Sequence, residues 1–290
     1  MKQFKRTMAI GLLALSLCLS ACGGGSGAAT TATPDASAEP TQGKEEFRVG
    51  LECNYAPFNW TQTEKSDTSV EIPDGGGYAD GYDVQIAKRI ADGLGKELVI
   101  VKTEWDGLIP AVNSGKVDAV IAGMSPTAER AVNVDFTDPY YESELVIVVK
   151  KGGAYAGATS LSDFAGAKIT GQLNTLHYNV IDQIQGVKKQ NAMDTFPAMI
   201  VALNSGKIDG YVSERPGAVS AMASNPDLTY VKFEEGKGFS VTKEDVAVSV
   251  ALKKGSDEMV QKINDILAGI SQQERETLMQ QAVENQPVAQ

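Results

Sequence analysis

Along the first stretch of the folded body the apolar positions change period repeatedly. "FRVGLEC", from Phe47, is a short apolar run and predicts a strand. In "DVQIAKRIADGLG" the residues Val84, Ala87, Ile90, Ala91 and Leu94 fall on one helical stripe, with Asp83 as the expected N-cap and Gly95 as the stop. "ELVIV" predicts the next strand, "WDGLIPAVNSG" a short helix closed by Gly115, and "VDAVIAG" a buried strand. Further on, "EDVAVSVALKKG" predicts another strand, and an amphipathic helix is expected from Asp257 to Ile270. Strands alternating with helices in this way imply an α/β fold with a mostly parallel, doubly wound sheet.

One part of the pattern occurs twice. "AVNSGKVDAV" starts at Ala111 and "ALNSGKIDGY" at Ala202, an offset of 91 residues. A single recurrence is not a solenoid, whose units repeat many times at short period. It marks two similar lobes, each supplying one side of a cleft. In both copies a glycine (Gly115, Gly206) ends a helix, where a left-handed backbone costs least. Lys116 and Lys207 follow, at helix C-termini that favour positive charge. Asp118 and Asp209 then lead into apolar strands. Ligands of open parallel sheets sit at the carboxyl ends of strands, so "GMSPTAER" and "SERPGA" are where function is expected. Two similar units arising from local propensity alone are the alternative. The strand-like "ELVIVVKKG" and "VAVSVALKKG" share an ending and flank the second copy. They are read as the passes between lobes, with hinges near Tyr141–Leu145 and Ala247–Val250.

Charge and the N-terminus narrow the class. The net charge of −11 lacks the basic footprint that nucleic-acid binding needs, so no nucleic-acid partner is expected. A single histidine, His177, and no Cys-x-x-Cys pair leave no expected metal site, and no cofactor is expected. Lys2, Lys5 and Arg6 precede an apolar run from Met8 to Leu19, too short to span a bilayer but of signal-peptide length. It ends in Leu19-Ser20-Ala21-Cys22, which resembles the bacterial lipobox. This predicts a lipoprotein signal peptide at 1–21, a lipidated Cys22 and a flexible tether over 22–45, rich in Gly, Ala, Ser, Thr and Pro. An ordinary signal peptide with an incidental cysteine is the alternative. Acyl chains, at about 0.8 kcal/mol per buried methylene, would hold the body to the outer face of the cell membrane. Cys53 is expected to be a small core residue.

From Phe47 to about Asp265 the chain resembles the bacterial solute-binding proteins of polar amino-acid ABC transporters (extracellular family 3). The resemblance rests on "YAPFNW", "GYDVQIAKRIADGLG", "WDGLIPAVNSGKVDAVIAGMSPTAERAVNVDFTDPYY" and "LNSGKIDGYVSERPGA". The final "ISQQERETLMQQAVENQPVAQ" departs from the family's usual ending, and "TQTEKSDTSVEIPDGGGY" is read as an extended, exposed loop near the cleft. The resemblance implies a two-lobed, type II periplasmic-binding-protein fold that closes on one free amino acid. Lobe one would comprise 46–143 and 247–290, and lobe two 144–246. It also implies a monomer that docks on a membrane permease driven by a separate ATPase.

It further implies roles for particular residues. Arg130, one turn into the helix starting at "SPT", would clamp the α-carboxylate, with Ser125 and the backbone of Gly123 completing that shell. Thr175 would reach the carboxylate from lobe two, where Asn174 and Leu176 replace the family's glycine and second threonine. His177 stands at a cleft-edge position. Glu214 would meet the α-ammonium, Tyr55 and Trp105 would sandwich the side chain, and Glu52 would face its tip. A carboxylate at Glu52 favours arginine, lysine, ornithine or histidine, and also suits a glutamine amide. Structural alternatives stand beside these: Arg130 pairing with Glu129 or Asp135, Ser125 as an N-cap before Pro126, Glu214 pairing with Arg215, and the aromatics as core. No catalytic residue is expected. An enzyme of the cyclohexadienyl-dehydratase type on the same fold is the competing class, with His177 or Glu214 recruited as acid or base.

Overall fold

The computed structural model describes residues 44–287. The expectations for the signal peptide, for lipidation of Cys22 and for the tether up to residue 43 lie outside the described residues. Strand β1 (Glu46–Leu51) enters a sheet and is followed by four short strands: β2 (Asn54–Tyr55), β3 (Asn59–Gln62), β4 (Val70–Glu71) and β5 (Tyr78–Asp80). These four form a small antiparallel sheet of order β2-β3-β5-β4. The segment expected to be an exposed loop near the cleft is therefore partly paired. Ser66 and Thr68 donate hydroxyls to Asp80, while Gln85 and Lys88 donate to the Thr68 carbonyl. Among the described side chains, none between Gln62 and Tyr78 lines the pocket beside Arg130.

Helix α1 (Tyr82–Gly93) starts after Gly81 rather than at Asp83. Asp83 lies inside the helix with its carboxylate fully buried, accepting from Asn59 Nδ2 at 2.8 Å and from the Tyr140 hydroxyl at 2.7 Å. Its inward bonding, not a helix terminus, explains the residue. Gly95, at φ 68°, does follow the helix end. Then come β6 (Glu97–Lys102), α2 (Leu108–Ser114), β7 (Ala119–Val120), α3 (Ala128–Ala131) and β8 (Val134–Glu142).

The chain leaves the first sheet at Ser143–Glu144. A second set follows: β9 (Leu145–Lys150), β10 (Lys168–Thr170), α4 (Leu176–Asn179), β11 (Lys188–Lys189), α5 (Phe196–Asn204), β12 (Gly210–Glu214), α6 (Arg215–Ser224) and β13 (Leu228–Val231). The chain returns as β14 (Ala247–Lys253), α7 (Asp257–Ala268) and α8 (Gln272–Asn285). The sheets are ordered β6-β1-β7-β14-β8 and β11-β10-β12-β9-β13. In each, four strands run one way and one runs against them. The reversed strand is always the one arriving from the other sheet: β9 in the second, β14 in the first. Ala247 and Val248 pair with Glu142 and Tyr141 of β8, so the expected second hinge segment lies inside a sheet. The return pass lies just upstream, where the Ser143 N–H donates to the Val246 carbonyl at 3.1 Å.

The two copies of the repeat fold alike. Gly115 and Gly206 have φ of 77° and 74° after α2 and α5. The Asp118 N–H donates to Arg48 O and its carboxylate accepts from Arg48 N, both at 2.8 Å. Asp209 makes the same two bonds to Lys168, also at 2.8 Å. Each aspartate thus seals the start of a parallel strand pair. In β9 alternate residues serve different cores: Ile147 and Val149 pack with Phe164, Ile169 and Val212. Val146 and Val148 join Phe196, Tyr211 and Ala218 in a cluster that continues into the first sheet. That alternation is the period of two expected of a strand buried on both faces.

Candidate functional site

The strand ends and helix starts named by the sequence converge between the two sheets. A pocket of about 680 Å³ is lined by Trp105, Asp106, Thr127, Arg130, Asn174 and Thr175, among others, within the range of small-molecule sites. Arg130 sits in α3, whose N-cap is Thr127, not Ser125. The buried Ser125 instead offers its carbonyl to Arg130 Nη1 at 3.0 Å. Nη2 donates to the Asn174 carbonyl at 3.3 Å, and the guanidinium lies 4.9 Å over the Trp105 ring. Neither Glu129 nor Asp135 forms an ion pair with it. Asp135 is held by Lys254 at 2.9 Å. Burial lowers the Arg130 guanidinium to about 10, with Glu129 and Glu214 opposing the shift, so it stays charged at neutral pH. Among the described residues this cation has only neutral acceptors.

Across the cleft Glu214 ends β12 and is the N-cap residue of α6. It is buried and accepts a hydrogen bond from the Tyr55 hydroxyl of the first lobe. His177 Nε2 stands 3.0 Å from its other oxygen, close enough for an ion contact but misaligned for an N–H···O bond. Burial pushes the Glu214 carboxyl up, but His177, Tyr55 and its own backbone N–H more than offset this and hold it below the usual range. Arg215, the alternative partner, turns instead to Glu144 at 3.5 Å.

Glu52 is also buried. Oε1 accepts from Gln172 Nε2 of the second lobe at 3.1 Å, and Oε2 has no hydrogen-bond partner among the described residues. Burial pushes this carboxyl up to about 8, and Glu104, Asp106 and Asp83 push the same way against the bond from Gln172. A buried acceptor without a donor is costly and invites one.

Several sequence expectations are modified here. Tyr55 and Trp105 do not form a sandwich: Trp105 lines the pocket beside Arg130, whereas Tyr55 stacks on Phe58 at 5.0 Å and on Phe196 at 4.3 Å. Phe196, carried to Tyr55 from the start of α5, covers one face of its ring. The Gly123 N–H donates to the Tyr140 hydroxyl at 3.2 Å, so it is already engaged. Gly123 is nonetheless demanded, with φ 61° and the Tyr55 ring 2.9 Å from where a Cβ would stand. The Thr175 hydroxyl turns back to Gln172 O at 2.7 Å. Asn174 keeps the left-handed turn at φ 55°. Its amide donates to Asp106 at 2.9 Å and its carbonyl accepts from Trp105 Nε1 at 3.3 Å, tying the lobes at the pocket rim. His177 is buried, edge-on to Phe196. Sequence reasoning passed over Gln172, Phe196 and Asp106. Gln172 carried a signal, standing just before Asn174 and Thr175 in the lobe-two stretch that resembles the family; the other two had none.

Two α/β lobes with matching strand orders, each sheet crossed by one strand from the other, have the type II periplasmic-binding-protein fold. The chain belongs to the bacterial extracellular solute-binding proteins, family 3, whose sequence profile matches residues 47–283. It is 36% identical over 67% of its length to a Campylobacter jejuni protein described as a probable histidine-binding protein, covering 70% of that relative. Its fold matches an amino acid ABC transporter substrate-binding protein from Streptococcus pneumoniae bound to L-arginine (TM-score 0.69, 27% identity, 82% of this chain and 94% of that one). It also matches an ancestral amino acid-binding protein that is a precursor of cyclohexadienyl dehydratase (TM-score 0.66, 28% identity, 82% and 95%). A place outside the cytoplasm follows from the family, and no helix among the described residues is long and apolar enough to cross a membrane.

Proposed function

We propose that the protein captures a polar amino acid, preferentially a basic one, by closing its lobes, and delivers it to an ABC permease powered by a separate ATPase. The observation that carries this reading is Arg130, a charged guanidinium on the pocket wall whose hydrogen bonds, among the described residues, go only to backbone carbonyls. A carboxylate would replace those neutral acceptors with charge-assisted, bidentate bonds, roughly twice as strong as neutral ones. Glu214, ionised opposite it, would take the α-ammonium, so both ends of a zwitterion are matched and neither is buried unpaired. Glu52 and its free oxygen would receive the side-chain tip. A relative described as a probable histidine-binding protein and a neighbour bound to L-arginine agree with a basic preference, while a relative named for L-cystine and a neighbour bound to glutamine do not require it. A lipidated Cys22 would hold the body at the membrane while closure about the two passes between lobes commits the ligand.

Glutamine is the second reading, favoured by the raised Glu52 carboxyl: a protonated acid can donate to an amide oxygen as readily as a carboxylate receives a cation. Binding without chemistry is preferred over the dehydratase, because His177 and Glu214, the acid–base candidates, are buried against one another.

Calorimetry with arginine, histidine, lysine, ornithine and glutamine, after unfolding and refolding to strip the protein, tests the reading. Arg130→Ala is expected to abolish binding, a loss of at least a hundredfold, while the melting midpoint of the stripped protein holds. Unchanged affinity would overturn the assignment. In the wild type a ligand at a hundred times its Kd should stabilise by about 2.7 kcal/mol.

A further inference from the structure

The C-terminal helix lies outside the pocket, yet it touches both lobes. Leu278 and Ala282 lie beside Trp60, Asp80 and Gln85 of the first lobe, where Glu274 accepts from Arg89 of α1 at 2.8 Å. Arg275 donates to the Pro139 carbonyl at 2.7 Å, which fixes the helix to β8. The helix also packs on α6 of the second lobe, and the contact continues just past its last turn. Gln286 is 7% exposed and makes a reciprocal pair with Ser220 of α6: its Nε2 donates to Ser220 O at 3.2 Å, and its Oε1 accepts from the Ser220 hydroxyl. The same face of α6 carries Gly217, where a Cβ would stand 3.6 Å from the Tyr55 ring. The helix so gripped is the one that Glu214 precedes as N-cap residue. Gln286 lies beyond the residues that match the family, 47–283.

We propose that Gln286 is a positioning residue for amino-acid capture: from the first lobe it seats α6, and through α6 it sets Glu214 opposite Tyr55 and Arg130. The inference rests on the reading of Glu214 as the ammonium partner. When the lobes part, α6 travels with the second sheet while α8 stays on the first. Both bonds of the pair must then break, leaving the Ser220 hydroxyl and carbonyl to be satisfied by water. The pair therefore favours the closed arrangement alone and slows release of what it encloses.

The test uses Gln286→Ala and Ser220→Ala in the full chain, singly and together, with L-arginine and L-histidine as probes. Each single variant should release its ligand about tenfold faster, with association within about twofold of wild type. The double variant should be no worse than either single, because the pair acts as one unit. A merely structural role would lower the melting midpoint and leave the dissociation rate alone. Dissociation within twofold of wild type in both single variants would overturn the proposal. If the wild type binds neither probe, the ligand reading fails, and small-angle X-ray scattering decides separately. A larger radius of gyration in Gln286→Ala than in wild type then supports the seat, and identical profiles overturn it.

Discussion

Glu52 carries opposite demands. Its carboxyl is raised to about 8 from an ordinary 4.5. Between those values the unfolded chain has released the proton and the folded protein has not, so the folded state binds more protons. The stability it contributes is complete below about pH 4.5 and is lost as pH rises through 8. Glu52→Gln removes that loss. It should raise stability above pH 8 by roughly 1–2 kcal/mol, seen in melting curves across pH, while weakening a basic ligand more than tenfold. A variant melting below wild type at pH 9 would contradict the protonation argument. At this scale the strand ends pointed to the stretches that hold Arg130 and Glu214, and the family resemblance supplied the roles of these two and of Glu52. Neither could name their neighbours. Tyr55 and Glu214 meet across 159 positions of chain, and Phe196 reaches Tyr55 only because α5 is carried there. The structural alternative for Glu214, a pair with its sequence neighbour Arg215, is not formed; its contacts are His177 and Tyr55.

Elements were legible where a terminus is made by its own residues. The two Asn-Ser-Gly helix ends need only a glycine and a left-handed backbone, and both were read correctly. Asp83 was misread because an N-cap and a buried helical carboxylate look alike in one dimension; only Tyr140 and Asn59 distinguish them. The 61–78 segment was read as a loop because its strands are two to four residues long, too short for periodicity to register. The paired aspartates allow a comparison within one molecule. Asp118 and Asp209 make the same backbone bonds, but Asp118 also receives Arg48 through Nη2 at 2.7 Å and Nε at 3.1 Å. Removing Asp209 should cost roughly 1–2 kcal/mol, and removing Asp118 about 0.5–1 kcal/mol more, since that ion pair is partly exposed and screened. Urea denaturation of the two alanine variants measures the difference. Equal losses would mean that Arg48 contributes only its backbone.

At the scale of the whole molecule, the two lobes were legible from one duplicated phrase and two strands with a common ending. The first pass, at Ser143–Glu144, falls within the expected Tyr141–Leu145, whereas the second was placed too late, because β14 pairs immediately on arrival. That strand has a consequence for the order of assembly. The second sheet is built from one continuous run, β9 to β13. The first has its middle missing until β14 is inserted between β7 and β8. A chain emerging N-terminus first can complete the later lobe before the earlier one. Until Ala247 arrives, β7 and β8 each present an unpaired edge, the kind of surface that seeks a partner elsewhere. Pulse-labelled hydrogen exchange during refolding should find the β9, β10 and β12 amides protected before those of β7, β8 and β14. Protection in the reverse order, or in a single step, would refute it. The lobe whose strands are made first would then be the last to close its sheet.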